Sequence, residues 1–395
     1  MDIWIFQDGE VLPVDSEPRL MRTGILAEML SSCGHTVTWW ATRFDHFHKK
    51  GRKNISTCYY IKKNYRLFLL DGCGYNKNIS LFRFFHYSQC AKHFLRLAKF
   101  SKNPDIILAS YPSPDLCYAA VKYAKEHNIP VVVDIRDPWP DIFPQYFSLF
   151  SKLFILPITW YYRYLLRYIL TNVTGIVAVS ESMLEWVLKY ARRGKTEKDK
   201  VFYIGYNSSY EFSRKKYPHS FDEEHPLQCI FITSGGHSYD GETLIDAFRI
   251  LQKEGEKRVR LIVTGDGEYH RKWKRKAEGI SQVIFTGYIS SSMLQRFLIE
   301  SHIGIVALRG GIAKFWVGNK FGEYLSAGLG IITNTEGEIE KIVNKYNLGV
   351  QFTSCNPESL VKVLKELINS PDKVREYQRN SIKIFLELFD REKIY

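Results

Sequence analysis

The sequence predicts an α/β protein built from two Rossmann-like domains. Three observations carry this. In both halves, short apolar runs bounded by glycine alternate with amphipathic stretches, the pattern of parallel strands joined by crossover helices. A polar, charged stretch with little periodicity, residues 208–226, separates the two series and reads as a linker. The length, 395 residues, suits two domains rather than one.

In the first domain, residues 1–207, Asp2 to Phe6 reads as the opening strand, with no basic stretch ahead of it to mark a secretory leader. A polar loop with Gly9 and two prolines follows, holding Arg19 with Arg22 close behind; an arginine there can pair with phosphate, or simply face water. An amphipathic helix spans 20–33 and Gly34 ends it; a strand spans 35–40. Residues 49–102 carry thirteen Lys or Arg against one acid, Asp71. Within them, a helix over 79–100 mixes Phe82, Phe85, Phe94 and Leu95 with Arg83, Lys92, Arg96 and Lys99. Such a helix can lie in a membrane interface, and packing of its aromatic stripe in the core accounts for the same pattern.

A strand over 104–109 leads through Ser110 to the loop Tyr111-Pro112-Ser113-Pro114, and a helix covers 116–127. The next strand, 130–135, runs into Arg136-Asp137-Pro138-Trp139-Pro140-Asp141. The C-terminal ends of strands are where α/β folds bind ligands, so Arg136, Asp137 and Ser110 are candidates for a ligand site. Two prolines and an Arg-Asp pair also make a rigid turn. Residues 143–171 are aromatic and apolar with Lys152, Arg163 and Arg167, either covering the sheet or extending the cationic face. Their most apolar run, 153–162, is about half the roughly 20 residues a membrane span needs. A strand over 175–180, a helix from 182 to 190 and a strand over 201–204 complete the domain.

The second domain, residues 227–377, opens with a strand at 228–233 and the loop Ser234-Gly235-Gly236-His237-Ser238-Tyr239-Asp240-Gly241. Without side chains in the way, the amides of Gly235 and Gly236 can approach a phosphate. A helix (242–252), a strand (259–264), the turn Gly265-Asp266-Gly267, a strand (282–286), a helix (290–299) and a strand (303–308) follow. Then comes Gly318-Asn319-Lys320-Phe321-Gly322-Glu323-Tyr324-Leu325-Ser326-Ala327-Gly328, a helix expected to be capped by Asn319 and stopped by Gly328, with a strand over 330–334 behind it. Its free N–H groups, its dipole and Lys320 make a phosphate site. Glu323, one turn in, can accept two hydroxyl hydrogen bonds, as from a ribose. A carboxylate there also favours the dipole with no ligand at all. Helices over 357–369 and 371–389 close the chain.

The net charge of +13 points to anionic partners: lipid head groups, a phosphate-bearing substrate or nucleic acid. No nucleic-acid motif accompanies it, so no nucleic acid is expected. Seven cysteines form no C-x-x-C pair and no His-adjacent cluster, which argues against a zinc site and a disulfide framework and for reduced thiols in the cytoplasm. No Asp-x-Asp pair suggests a metal-held diphosphate.

The segment from Gly318 to Gly328 resembles the donor-binding motif of retaining glycosyltransferases of family 4, and Arg136 to Asp141 resembles their Arg-Asp-Leu-Trp-Pro-Asp run in enzymes that build bacterial surface polysaccharides. The resemblance implies the GT-B fold, two Rossmann-like domains facing across a cleft, with a helix from about 378 packing back on the first domain. It implies transfer from a nucleotide-diphosphate sugar with retention, no cofactor and no required metal. Gly318, Asn319, Lys320, Glu323, Gly235 and Gly236 would then hold the donor, Glu323 on the ribose; Asp137 and Arg136 would be the catalytic pair, with Arg19 and Ser110 on the acceptor or phosphate side. Charge and family together suggest a lipid-linked acceptor, contact with anionic membrane and a place at its inner face. The pattern departs at Phe315, where many members have a second Glu for the donor sugar. Three other readings stay open: a GT-B nucleotide-sugar 2-epimerase, a catalytically silent GT-B subunit and, less favoured, a nucleic-acid-binding protein.

Overall fold

The computed structural model describes residues 1–16, 18, 20–52, 56–77, 80–143, 149–206, 219–309, 314–315 and 317–395, with the side chains of the helix that begins at 149 described from 155. The chain divides into two compact units, Met1–Phe202 with Tyr395, and Tyr203–Ile394.

The first unit contains β1 (Asp2–Phe6), α1 (Arg22–Ser32), β2 (Thr36–Thr42), β3 (Phe44–Asp45), β4 (Lys50–Gly51), β5 (Cys58–Lys62), β6 (Tyr65–Leu70), α2 (Leu81–Ala98), β7 (Ile106–Tyr111), α3 (Pro114–Glu126), β8 (Val131–Ile135), α4 (Leu149–Asn172), β9 (Gly175–Ala178), α5 (Glu181–Ala191) and β10 (Lys200–Val201). Eight strands form one sheet in the order β10-β9-β8-β7-β1-β2-β6-β5, parallel throughout except for the β5–β6 hairpin. The central strands are apolar on both faces because helices cover both, which is why they read as continuous runs. On one face, Phe94 of α2 meets Phe6 and Trp40 edge-on, with centroids 4.7 and 5.1 Å apart. The two readings of α2 are thus divided along its length. Phe94 is core, while Phe82 and Phe85 are exposed.

The strand β6 has only a faint signal in the sequence. Its buried residues, Tyr65, Leu67, Leu69 and Leu70, alternate at first with half-buried Arg66 and Phe68, a period-two signal lost in the basic composition around it. Residues 143–171, read as segments, form the single helix α4 from 149, with Pro157 inside it.

The second unit contains β11 (Leu227–Ile232), α6 (Gly241–Lys253), β12 (Val259–Thr264), α7 (Glu268–Lys276), β13 (Val283–Gly287), α8 (Ser291–Glu300), β14 (Ile303–Val306), α9 (Asn319–Ser326), β15 (Gly330–Thr333), α10 (Glu338–Lys345), β16 (Gly349–Gln351), α11 (Pro357–Ile368), α12 (Pro371–Ile384), a π-helical turn (Phe385–Phe389) and α13 (Arg391–Ile394). Its six strands are all parallel, in the order β13-β12-β11-β14-β15-β16. Side-chain caps fix several starts: Ser290 accepts from Met293 N–H ahead of α8, and Asn356 from Ser359 N–H ahead of α11.

Two boundaries differ from expectation. The units part at Phe202/Tyr203, ahead of residue 207, and the expected linker lies partly outside the described residues, while Phe221 within it is buried in the second core. The segment from 378, expected on the first domain, belongs to the second unit up to Ile394. Ile384, Phe385 and Phe389 join the core beneath α9, an apolar anchor that outweighs the reach of the chain end.

Candidate functional site

Both sheets have a topological switch point, the place where successive strands begin to run the other way across the sheet. Ligands of open α/β sheets sit at the C-terminal strand ends there. In the second unit it lies between β11 and β14. The loop after β11 and the turn after β12 lie backbone against backbone. A Cβ on Gly265 would stand 1.7 Å from the Thr233 carbonyl oxygen, and one on Gly235 (φ +60°) 2.2 Å from His270 Nδ1. Only glycine fits at either place. The Gly235 N–H donates to the Thr233 hydroxyl at 2.9 Å, so this amide already has an acceptor within the loop.

On the other side of the switch point is α9. Its N-cap is Gly318, with Asn319 the first helical residue, one place later than the capping role expected of it. The Asn319 side-chain oxygen instead accepts from the Tyr206 hydroxyl at 3.2 Å. The helix ends as expected: Gly328 takes φ +62°, and its N–H and that of Leu329 donate to the carbonyls of Leu325 and Tyr324. Lys320 Nζ and Glu323 Oε2 are 3.8 Å apart, both partly exposed, a loose pair. Gly318, Lys320 and Phe321 line a small pocket with Ile232, Leu308 and Tyr239, which places the start of α9 beside the ends of β11 and β14.

Tyr324 holds this arrangement. Fully buried, its hydroxyl accepts from Ile232 N–H at 2.8 Å and donates to the Ile305 carbonyl at 3.2 Å, tying α9 to the C-terminal ends of both switch-point strands. Gly304 makes room for its ring. Arg309, just past β14, is the basic residue near the loop that the sequence did not reveal. Its guanidinium pairs with the buried Asp240 and with Glu242, each at 3.3 Å, and its N–H donates to the Ser238 carbonyl at 2.7 Å. It braces the glycine loop from a strand about 70 residues away in the chain. Phe315 is half-buried.

In the first unit the switch point lies between β1 and β7. Here the polar groups are committed to one another. Arg136 donates from Nε to Asp134 at 2.9 Å, from one terminal nitrogen to Glu10 and from the other to the Thr23 hydroxyl at 2.9 Å. Arg22 also pairs with Asp134, at 3.0 Å. Glu10 accepts from the Thr23 N–H and hydroxyl at 2.9 and 2.7 Å. Burial works against ionising Asp134, but Arg22 and Arg136 prevail and hold its carboxyl below the usual range. The expected catalytic Arg136 thus has its donors engaged by protein acceptors.

Asp137 differs from its neighbour. Burial pushes its carboxyl up to about 6, against the pull of Arg136 and Arg83. Asp8, fully buried, is also raised by burial while it accepts from the Ser113 hydroxyl. Arg83, from the first turn of α2, stands 4.9 Å from the Trp139 ring centroid and donates to Tyr87 at 2.7 Å. Ser110 is buried within β7, and its hydroxyl has no partner among the described residues. Arg19 lies outside the described residues.

Two largely parallel α/β sheets with switch-point sites of this kind are the architecture of the GT-B class, and solved structures bear that out. Sucrose-phosphate synthase from Thermosynechococcus elongatus matches with a TM-score of 0.69 at 14% identity, over 100% of this chain and 96% of its own. HepE from Anabaena, in complex with UDP, matches at 0.65 and 14%, over 100% and 97%. WaaG, a glycosyltransferase involved in lipopolysaccharide biosynthesis, matches at 0.57 and 13%, over 97% and 95%. At these identities the likeness is one of fold. Comparison with curated protein sequences gives no match. The family follows from two sequence matches: residues 23–204 fit the model described as Glycosyltransferase Family 4, and residues 229–370 that described as Glycosyl transferases group 1. The chain is a family-4-like glycosyltransferase.

Proposed function

We propose that this glycosyltransferase takes a nucleotide-diphosphate sugar as donor and moves a hexose, with retention and without a required metal, to a lipid-linked saccharide during assembly of a bacterial surface polysaccharide. It would work in the cytoplasm, at the inner face of the cell membrane. The observation that carries the reading is the start of α9, where Lys320, loosely paired with Glu323, lines a pocket with Tyr239 of the glycine loop at the switch point of the second sheet. Glu323 would take the ribose hydroxyls. Lys320 and the N-terminal amides of α9 would meet the charge that develops on the diphosphate as the sugar leaves. The bond from the anomeric carbon to the diphosphate breaks, a bond to the acceptor oxygen forms on the same face, and the acceptor proton passes to the departing phosphate. Asp137 would hold the acceptor hydroxyl. Support for the donor class comes from the UDP and UDP-glucose complexes of HepE, and for the acceptor class from the process in which WaaG takes part.

The test is a thermal-shift screen against UDP, GDP, CMP and dTDP, free and as sugar conjugates. One nucleotide should raise the melting temperature, since a ligand that binds only the folded state stabilises it. Glu323→Ala should weaken that nucleotide about 10- to 100-fold, the worth of hydrogen bonds to a charged group, with the unliganded melt unchanged. No shift with any nucleotide, or equal affinity in the variant, overturns the proposal.

A further inference from the structure

The first unit leaves large apolar side chains in solvent on two neighbouring helices. On α2, Leu81, Phe82 and Phe85 are 62%, 68% and 62% exposed; on α4, Trp160, Tyr161 and Tyr164 are 70%, 48% and 63% exposed. The spacing gives one stripe per helix. The helices meet at these turns, where the rings of Phe84 and Tyr162 lie 5.4 Å apart. Scattered exposed apolar residues are ordinary, but two adjoining aromatic stripes call for an occupant.

Charge indicates which. Each helix carries three Lys or Arg and no acid, and no Asp or Glu occurs from Ile142 to Ser180. Lys77, Lys92, Arg96 and Arg167 are exposed around the stripes. A second copy of this face would bring like charges together, so self-association is disfavoured. An anionic bilayer surface answers both features. Its interface takes Trp, Tyr and Phe, and its head groups attract Lys and Arg. Contact would be with the surface, since among the described residues no helix is long and apolar enough to cross a membrane.

The location adds a consequence. Arg83 ties the first turn of α2 to Trp139, two residues past Asp137. Tyr161 donates at 2.8 Å to Asp115, in the first turn of α3 beside Ser113. The exposed stripes therefore border the C-terminal edge of the first sheet.

We propose that the paired stripes of α2 and α4 dock on an anionic bilayer, so that an acceptor anchored in that bilayer presents its sugar to the Asp137 edge. The second clause rests on the lipid-linked acceptor proposed above; the docking itself rests on the surface alone.

Flotation of the full chain with vesicles tests it. The protein should float with vesicles of equal parts phosphatidylglycerol and phosphatidylcholine at low salt, and stay behind with phosphatidylcholine alone. Binding should weaken as salt rises to about 0.5 M, where screening is nearly complete beyond a few ångströms. The triple variant Phe82→Ser, Phe85→Ser, Trp160→Ser should partition at least about tenfold less. The double variant Lys92→Glu, Arg167→Glu should lose the preference for anionic vesicles. Both should keep the nucleotide-induced thermal shift, which reports fold and donor site. Failure of the parent protein to float, undiminished floating of the triple variant, or a change in its solution mass that marks the stripes as a self-association face would each overturn the docking. Nucleotide binding without flotation would leave the donor reading standing, and flotation without nucleotide binding would sink that reading alone.

Discussion

The two switch-point edges have the same topology and differ in how far their charges are committed. In the first unit, Arg136, Arg22, Glu10 and Asp134 saturate one another in a buried network. In the second, Lys320 and Glu323 are loosely paired and partly exposed, while the firm contacts, those of Tyr324 and Arg309, lie behind them. One edge spends its charges on holding the backbone; the other braces its backbone from behind and leaves charges facing solvent. The position of a charged residue at a strand end therefore does not tell its role. What it is already bound to does.

The largest effect that could break this comparison is at Arg136. Arg136→Ala leaves Glu10 without its guanidinium partner and Asp134 with Arg22 alone, and should cost about 3–5 kcal/mol, read by chemical denaturation. Arg136→Lys should fall between, keeping charge but losing the fork. A stable Arg136→Ala protein that has lost only activity would mean that the network is a catalytic site after all. Next comes Gly235→Ala. It puts a Cβ into the buried His270 ring at a left-handed φ, strain of about 1–3 kcal/mol. The loop must move, so nucleotide affinity should drop at least about tenfold in the thermal-shift titration. Smaller still is Tyr324→Phe, which leaves Ile232 N–H without that hydroxyl acceptor. About 1–2 kcal/mol of stability should go, with nucleotide affinity falling in step if the hydroxyl sets the position of α9.

The sequence made the second edge easier to read than the first. Gly235, Lys320, Glu323 and Gly328 announce themselves through helix ends and glycine loops, which are local features. The cap shifted by one residue because Gly318 supplies the extended backbone and Asn319 finds Tyr206. The Arg309–Asp240 pair joins distant segments and has no local signal. The same holds for the first edge, where Glu10, Thr23, Asp134 and Arg136 come from four places in the chain. Strands buried on both faces were legible as apolar runs, whereas β6, itself mostly apolar, was hidden by the basic residues around it.

Asp137 is the exception within the committed edge and gives the subtlest prediction. Burial raises its carboxyl to about 6, above the value it would have unfolded. The folded state therefore holds the proton more tightly. The stability this provides is fully present below the unfolded value and is lost as pH rises through about 6. Asp137→Asn removes that loss and should make the protein more stable at pH 7 than its parent, by on the order of 1 kcal/mol, with the difference vanishing near pH 4. Activity should move the other way. If the carboxylate holds the acceptor hydroxyl, kcat/KM of the parent rises with pH through about 6, and the variant is slow and flat over that range. A variant that gains stability but keeps the parent's pH profile would place Asp137 with Arg136, as part of the scaffold rather than of the chemistry.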